Sequence, residues 1–406
     1  FYGCGKGLNV VFFFLTLAFI FLIARRLLSV TWSAWIATFA AFSPIHVYVS
    51  YFMPEAMYFA FITGTIYLAL IAGKKHKLSW WLATGGLLGL SALVKPHAIF
   101  TVPAFVLFAL LIALRSEGGG LGKALVAGGS KLGAFVLVKF GGGFAFAGTA
   151  GLSLFGSSYE SSLNQFVSEN AQGKTDLVAN TVANVSGAAS EPAQAAGASG
   201  PGFFDIFIPH SLAHLALLLT VAGIPLFLSV SVIKDAVVKK QEVSASGQFL
   251  LLIGLLSVSF VAVVGAFEGV VTTLGDDHSS RIITRYYEFL VPLLLIAAAV
   301  FAKFVEPKFR VRLIQSGILI AALVFGWFYL SGVNQSFADS ILLSGYLSNP
   351  AVIPIVAVVG IIVALVWVFS AGSGSKLIVY VATPLVLLIA GFTSQGYLLS
   401  QVGTNE

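Results

Sequence analysis

Three short polar stretches carry the side chains best suited to chemistry, and each borders a long apolar run. The first is Tyr51-Phe52-Met53-Pro54-Glu55, where proline starts a helix and the acid falls in its first turn. Proline at the first helical position and an acid beside a helix N-terminus are structurally favourable without any function. The same carboxylate, held at a membrane surface, could bind a metal, an acceptor or a sugar hydroxyl. The second stretch is Lys95-Pro96-His97, a tight turn between two apolar runs. A lysine there either snorkels to lipid headgroups or grips a phosphate. His97 is a weaker candidate, because a lone histidine in a turn is usually only a polar turn residue. The third stretch runs from Gly275-Asp276-Asp277-His278-Ser279-Ser280-Arg281 to Arg285-Tyr286-Tyr287-Glu288. Arg281 and Arg285 are four apart, so on a helix they share a face, and guanidinium grips phosphate bidentately. The structural alternative is an interfacial belt of Arg and Tyr. Asp276, Asp277 and His278 are metal-ligand types, but adjacent loop residues are a weak signal.

The elements that must position these residues follow from composition. The chain is 58% hydrophobic and 9% charged over 406 residues, with a mean hydropathy of +0.98. A soluble domain carries about 25% charged residues. This chain could not cover a water-facing surface, so its solvent is largely lipid. A spanning helix needs about 20 apolar residues. The runs are too long for barrel strands, which predicts an all-α, polytopic transmembrane bundle. Spans are expected at 8–28, 31–50, 54–73, 79–95, 98–115, 125–153, 211–233, 247–270, 287–304, 313–332, 350–370 and 377–397, about twelve in all. The organisation is then an N-terminal transmembrane core at 1–154 and an outer, partly flexible segment at 155–209. C-terminal helices at 210–406 follow, with outer loops at 271–286 and 333–349.

Charge gives the orientation. Arg25 and Arg26; Lys74, Lys75 and Lys77; Arg115 and Lys123; Lys234, Lys239 and Lys240; Lys303, Lys308, Arg310 and Arg312; and Lys376 fall in six loops. With these spans all six lie on one face, which the positive-inside rule makes cytoplasmic. Glu55, Lys95, His97, Arg281, Arg285 and Tyr286 then gather on the extracytoplasmic side. The net charge of +6 follows that clustering and speaks against nucleic acid. Lys131 reads as a marker of the cytoplasmic edge, while Lys139 is deeper and could face a polar cavity. His46, His210 and His214 are expected at the interface. Asn184-Val-Ser186 and Asn334-Gln-Ser336 are glycosylation triplets on the outer side. The single cysteine, Cys4, excludes an intrachain disulfide. No phosphate-cradling glycine loop, Ser–His–Asp order or paired-cysteine metal motif occurs, so a nucleotide cofactor is not expected. No internal repeat supports an inverted-repeat transporter.

The pattern resembles the GT-C superfamily of polyprenyl-phosphate-sugar-dependent glycosyltransferases, which includes protein O-mannosyltransferases and lipid A aminoarabinose transferases. Ala24-Arg25-Arg26-Leu27 through Ala41-Phe42-Ser43-Pro44, with Tyr51 to Ala56, carries the likeness. So do Gly85-Gly86-Leu87-Leu88-Gly89-Leu90-Ser91-Ala92-Leu93-Val94-Lys95-Pro96 and Arg285-Tyr286-Tyr287-Glu288-Phe289-Leu290-Val291-Pro292. The resemblance covers the transmembrane core, and segment 155–209 has no counterpart in it. It implies that Glu55 is a second outer acid near metal or acceptor. It also implies that Lys95 and Arg285 bind the carrier phosphate and that Tyr286 lines the pocket. A divalent metal ion beside the leaving phosphate is part of that expectation. The implied partners are membrane lipid, a polyprenyl-phosphate sugar and a glycan, lipid or protein acceptor. It further implies that a first helix and part of the first outer loop, with the acidic catalytic motif, lie outside this sequence. No residue here is therefore assigned as the catalytic base. Two other readings stand beside it: a non-catalytic membrane subunit of a larger complex, and a transporter of lipid-linked glycans.

Overall fold

The computed structural model describes residues 2–49, 54–153, 204–219, 243–273, 283–301, 308–330 and 351–403. Arg281, the Asp276-Asp277-His278 run, both glycosylation triplets, and the lysines at 234, 239, 240 and 303 lie outside the described residues. No strand occurs among the described residues, as the long apolar runs predict. α1 covers Tyr2–Arg25 and α2 Val30–Ala41, followed by a 3-10 turn at Pro44–Val49. α3 covers Glu55–Lys75 and α4 Leu78–Val94. A 3-10 turn at Pro96–Thr101 leads into α5 at Val102–Leu114. α6 covers Leu121–Val136, a π turn follows at Leu137–Gly142, and α7 is the short Gly143–Ala147. α8 is Phe204–Leu219. α9 covers Ala245–Thr273, α10 Leu290–Phe301, α11 Phe309–Leu330 and α12 Val352–Phe369. α13 at Ala371–Leu377 passes through a π turn into α14 at Thr383–Gly403.

Seven described segments are long and apolar enough to cross a membrane: Gly3–Arg25, Glu55–Lys75, Pro96–Leu114, Leu121–Leu152, Ala245–Gly269, Phe309–Leu330 and Val352–Phe369. Val30–Ala41, Leu78–Val94, Phe204–Leu219 and Leu290–Val300 are apolar but shorter. Among the described residues the count of about twelve is not confirmed. Some expected spans are interrupted. The expected span at 31–50 ends its α-helix at Ala41, and Pro44 three residues later withholds a backbone N–H. α8 begins at Phe204, inside the stretch expected to be an outer segment. Large apolar side chains cover the outside, with Phe146 at 89% and Phe328 at 75% exposure. Such an exterior suits hydrocarbon and would not suit water.

Helix ends sort by charge. α1 and α3 end in Arg25 and in Lys74-Lys75, and α11 begins beside Lys308, Arg310 and Arg312. The opposite ends present Glu55, at the start of α3, and Lys95, at the end of α4. α4 packs on α6 through Gly85 and Gly89, one turn apart. A Cβ at Gly85 would fall 2.1 Å from the Lys131 carbonyl oxygen, and one at Gly89 would fall 2.8 Å from Val138 Cβ. Only glycine lets these backbones meet, the small-residue contact that replaces a hydrophobic driving force in lipid. α11 and α12 are joined by Ser316 donating to the Ala364 carbonyl at 2.9 Å and Trp367 donating to Gln315 at 3.2 Å.

Lys131, expected to mark the cytoplasmic edge, is enclosed by protein. It is fully buried, donates to the Phe105 carbonyl at 2.8 Å, and lies over Trp81 at 4.8 Å, with Phe105 and Phe108 closing the cage. Lys139 is also buried, in the π turn beside Phe140.

Candidate functional site

Two of the three polar stretches meet directly, and the third supplies the cover. Glu55 opens α3, where the helix N-terminus favours its negative charge. Lys95 closes α4, where the C-terminus favours a cation. These preferences alone would leave both residues at a surface. Instead Glu55 is 3% exposed and Lys95 6%, and Lys95 Nζ donates to Glu55 Oε1 in a buried ion pair. Removing one partner of such a pair typically costs about 3–5 kcal/mol, because the other charge stays buried. The second carboxylate oxygen, Oε2, is buried without a hydrogen-bond partner among the described residues. A buried acceptor left open is costly.

The turn at Ile283–Phe289 closes this pocket. Tyr286 stacks on His97 with ring centroids 3.7 Å apart and planes 17° apart. Lys95 Nζ stands 5.4 Å from the Tyr286 ring centre, and the Arg285 guanidinium carbon 5.5 Å from the same ring. Tyr58, on α3, donates to the Tyr286 carbonyl at 3.3 Å. Glu288 accepts from Tyr48 at 2.8 Å through Oε2 and from Thr284 at 2.7 Å through Oε1. Lys95 thus feels one cationic neighbour, Arg285, and two acidic ones, Glu55 and Glu288. Burial holds its ammonium below the usual lysine range. Arg285 pushes the same way, while Glu55 and Glu288 oppose it. The Tyr48 phenol is raised well above its usual range, first by burial and then by the charges of Glu288 and Glu55. The structure therefore brings together Glu55, Lys95, His97, Arg285 and Tyr286 of the six expected residues, and Arg281 lies outside the described residues.

A second network, missed from the sequence, holds the same turn from behind. His210 and His214 sit one turn apart on α8, and both are buried in protein. Glu268, near the end of α9, accepts from His210 Nδ1 at 2.7 Å and from His214 Nε2 at 2.8 Å through one oxygen. Its other oxygen accepts the Ile283 backbone N–H at 2.7 Å. His214 Nδ1 meets the Tyr287 hydroxyl at 2.7 Å. Burial, with the charges of Glu268 and Glu288, raises the Tyr287 phenol well above its usual range. A buried carboxylate with two imidazoles is stable only when such partners compensate it. A lone acid in an apolar run facing two histidines at helical spacing was the available signal.

The described residues do not fit the expected divalent ion at Glu55. The open oxygen stands in a pocket with two cations, Lys95 and Arg285, while both Glu288 oxygens already accept hydrogen bonds. No group of three His, Cys, Asp or Glu among the described residues is arranged to hold a metal.

The fold and this site define an all-α integral membrane protein with a buried, mixed-charge cluster at one end of its helices. Residues 8–128, under a third of the chain, match the family model described as Dolichyl-phosphate-mannose-protein mannosyltransferase. The matched stretch holds Glu55, Lys95 and His97, while Arg285 and Tyr286 lie beyond it. No curated protein and no solved structure matches the chain.

Proposed function

We propose that the chain moves a sugar from a polyprenyl-phosphate carrier to an acceptor hydroxyl on the extracytoplasmic side of its membrane. The observation that carries this reading is the buried Lys95–Glu55 pair under Tyr286 and Arg285, which joins the family-matched helices to the turn before α10. Lys95 and Arg285 supply charge for the phosphate of the donor and for the phosphate that leaves. Tyr286 and His97 form a flat aromatic wall beside it. Glu55 Oε2 is placed to accept from a sugar or acceptor hydroxyl. In the transfer, the acceptor oxygen attacks the anomeric carbon and its bond to the phosphate oxygen breaks. Polyprenyl phosphate departs with the electron pair. The cations act where negative charge grows, which is the effective place for electrostatic stabilisation. The base that takes the acceptor proton is assigned to no residue.

The direct test is a titration of purified protein with a polyprenyl phosphate. Arg285→Ala should weaken binding by about tenfold to a hundredfold, the loss of one charge-assisted contact. Equal affinity in a folded variant rejects the reading.

The side of the membrane is tested separately. Cys4 is exposed, so Cys4→Ser supplies the background. Single cysteines at positions 180 and 238 should then label from opposite sides of sealed vesicles. Labelling of both from one side overturns the map.

A further inference from the structure

A polar cavity lies at the opposite end of α3 from the Glu55–Lys95 pair. Arg26, just beyond α1, and Lys74, in the last turn of α3, line a cavity of about 480 Å³. Ser244, Ala245 and Gln248 at the start of α9 close it, with Leu27, Leu70 and Val243 as apolar wall. Glu55 and Lys74 stand at opposite ends of α3, so the cavity is about 28 Å from the Glu55–Lys95 pair along the helix axis.

The cavity is built rather than left by loose packing. Gln248 is buried, and its Nε2 donates to the Val243 carbonyl at 3.0 Å and to the Gly73 carbonyl at 3.5 Å. That side chain ties the start of α9 to the end of α3. Ser244 caps α9 by accepting the Gly247 N–H at 3.1 Å. Arg26 rests over the Tyr67 ring at 5.8 Å. No carboxylate among the described residues pairs with Arg26 or Lys74. Among the described residues, two cations thus share one concave site without a paired carboxylate. A helix that starts at the same wall adds its positive end to theirs. The apolar wall on one side and the guanidinium on the other suit a small amphipathic anion.

We propose that this cavity binds a phosphate-bearing group. Arginine supplies the fork that matches phosphate oxygens, and lysine supplies the point charge. The chemistry fits a phosphate ester, delivered either as the headgroup of an anionic lipid in the adjoining leaflet or as a free small phosphate. This proposal does not rest on the glycosyl-transfer reading, because the cavity shares no residue with that site.

The test uses the whole protein in nanodiscs, read by native mass spectrometry. The probes are phosphatidylglycerol, phosphatidylcholine and glycerol 3-phosphate. Wild-type protein should retain phosphatidylglycerol or glycerol 3-phosphate. The Arg26→Gln/Lys74→Gln variant should weaken it by about tenfold or more, as loss of charge-assisted contacts predicts. Ala245→Glu, which places a carboxylate beside the cations, should do the same. Arg25→Gln/Lys75→Gln, which removes the same charge just outside the cavity, should leave retention unchanged. Retention of the lipid that glycerol 3-phosphate does not displace assigns the lipid as source, and displacement assigns a soluble phosphate. Equal losses in the two double variants would show diffuse surface attraction and overturn the proposal. Wild-type retention by Arg26→Gln/Lys74→Gln would overturn it as well.

Discussion

Lys95→Ala should lower affinity for a polyprenyl phosphate by about a hundredfold or more, the usual scale for truncating one member of a buried charge pair. The same substitution leaves Glu55 buried with neither oxygen bonded among the described residues, so it should also lower stability by about 3–5 kcal/mol. Lost binding alone would therefore not separate a phosphate site from a weakened fold. Glu55→Gln supplies the separation. It keeps an acceptor oxygen for the Lys95 ammonium and removes the competing negative charge. Its affinity for polyprenyl phosphate should equal or exceed that of wild type. The double variant Lys95→Ala/Glu55→Gln removes both buried charges. It should regain much of the stability in a thermal melt and none of the binding. Recovery of binding in the double variant would reject Lys95 as a phosphate ligand.

Acidity gives the same site a second handle. Burial lowers the Lys95 ammonium from its usual range, so it is protonated and cationic at low pH and loses its proton at a lower pH than an ordinary lysine. Above that point the cationic fraction falls about tenfold per pH unit. Phosphate binding should weaken on the alkaline side. Lys95→Arg should carry binding to higher pH, because guanidinium keeps its proton. Tyr48 and Tyr287 are both raised and stay protonated across that range, so they cannot account for the alkaline loss. An identical pH profile in Lys95→Arg would show that another group titrates.

The bundle and its site differ in how far residue types reveal them. A chain this apolar, with basic residues clustered between runs, has few structural options, because backbone polar groups in lipid must be satisfied within helices. Glu55 and Lys95 were legible because each lies at a helix end opposite the basic clusters. Their burial together was not, since it depends on α3 and α4 packing. Lys131 shows the same limit. Its partner is the Phe105 carbonyl, and a backbone acceptor has no sequence signature. Glu268 had a signature that was passed over. It lies in the run Gly265-Ala266-Phe267-Glu268-Gly269, where the surrounding apolar residues hid it within a span. His210 and His214 share a helical face, but nothing in their spacing says that the face turns inward.

Glu268→Ala should be the most damaging single change behind the pocket. It leaves His210 Nδ1, His214 Nε2 and the Ile283 N–H without the acceptor that now serves all three. Each buried polar group left unsatisfied costs about 1–3 kcal/mol, and partial rearrangement keeps the total near 3–5 kcal/mol. Glu268→Gln retains a carbonyl oxygen for Ile283 or for one imidazole and should cost only about 1–2 kcal/mol. Thermal unfolding orders the three proteins as wild type, Gln, then Ala. The more specific consequence lies in the turn at Ile283–Phe289. Glu268 holds its start through Ile283, and His214 holds its middle through the Tyr287 hydroxyl. Tyr58 holds the Tyr286 carbonyl from the other side. Loss of Glu268 should therefore speed amide exchange in 283–289 while residues 55–75 of α3 keep their protection. Polyprenyl-phosphate affinity should fall with it, because Arg285 and Tyr286 ride on that turn. Uniformly faster exchange across both segments would mean that Glu268 stabilises the bundle as a whole. Protection lost only in 283–289 would mean that the carboxylate between two histidines exists to hold Arg285 and Tyr286 over Lys95.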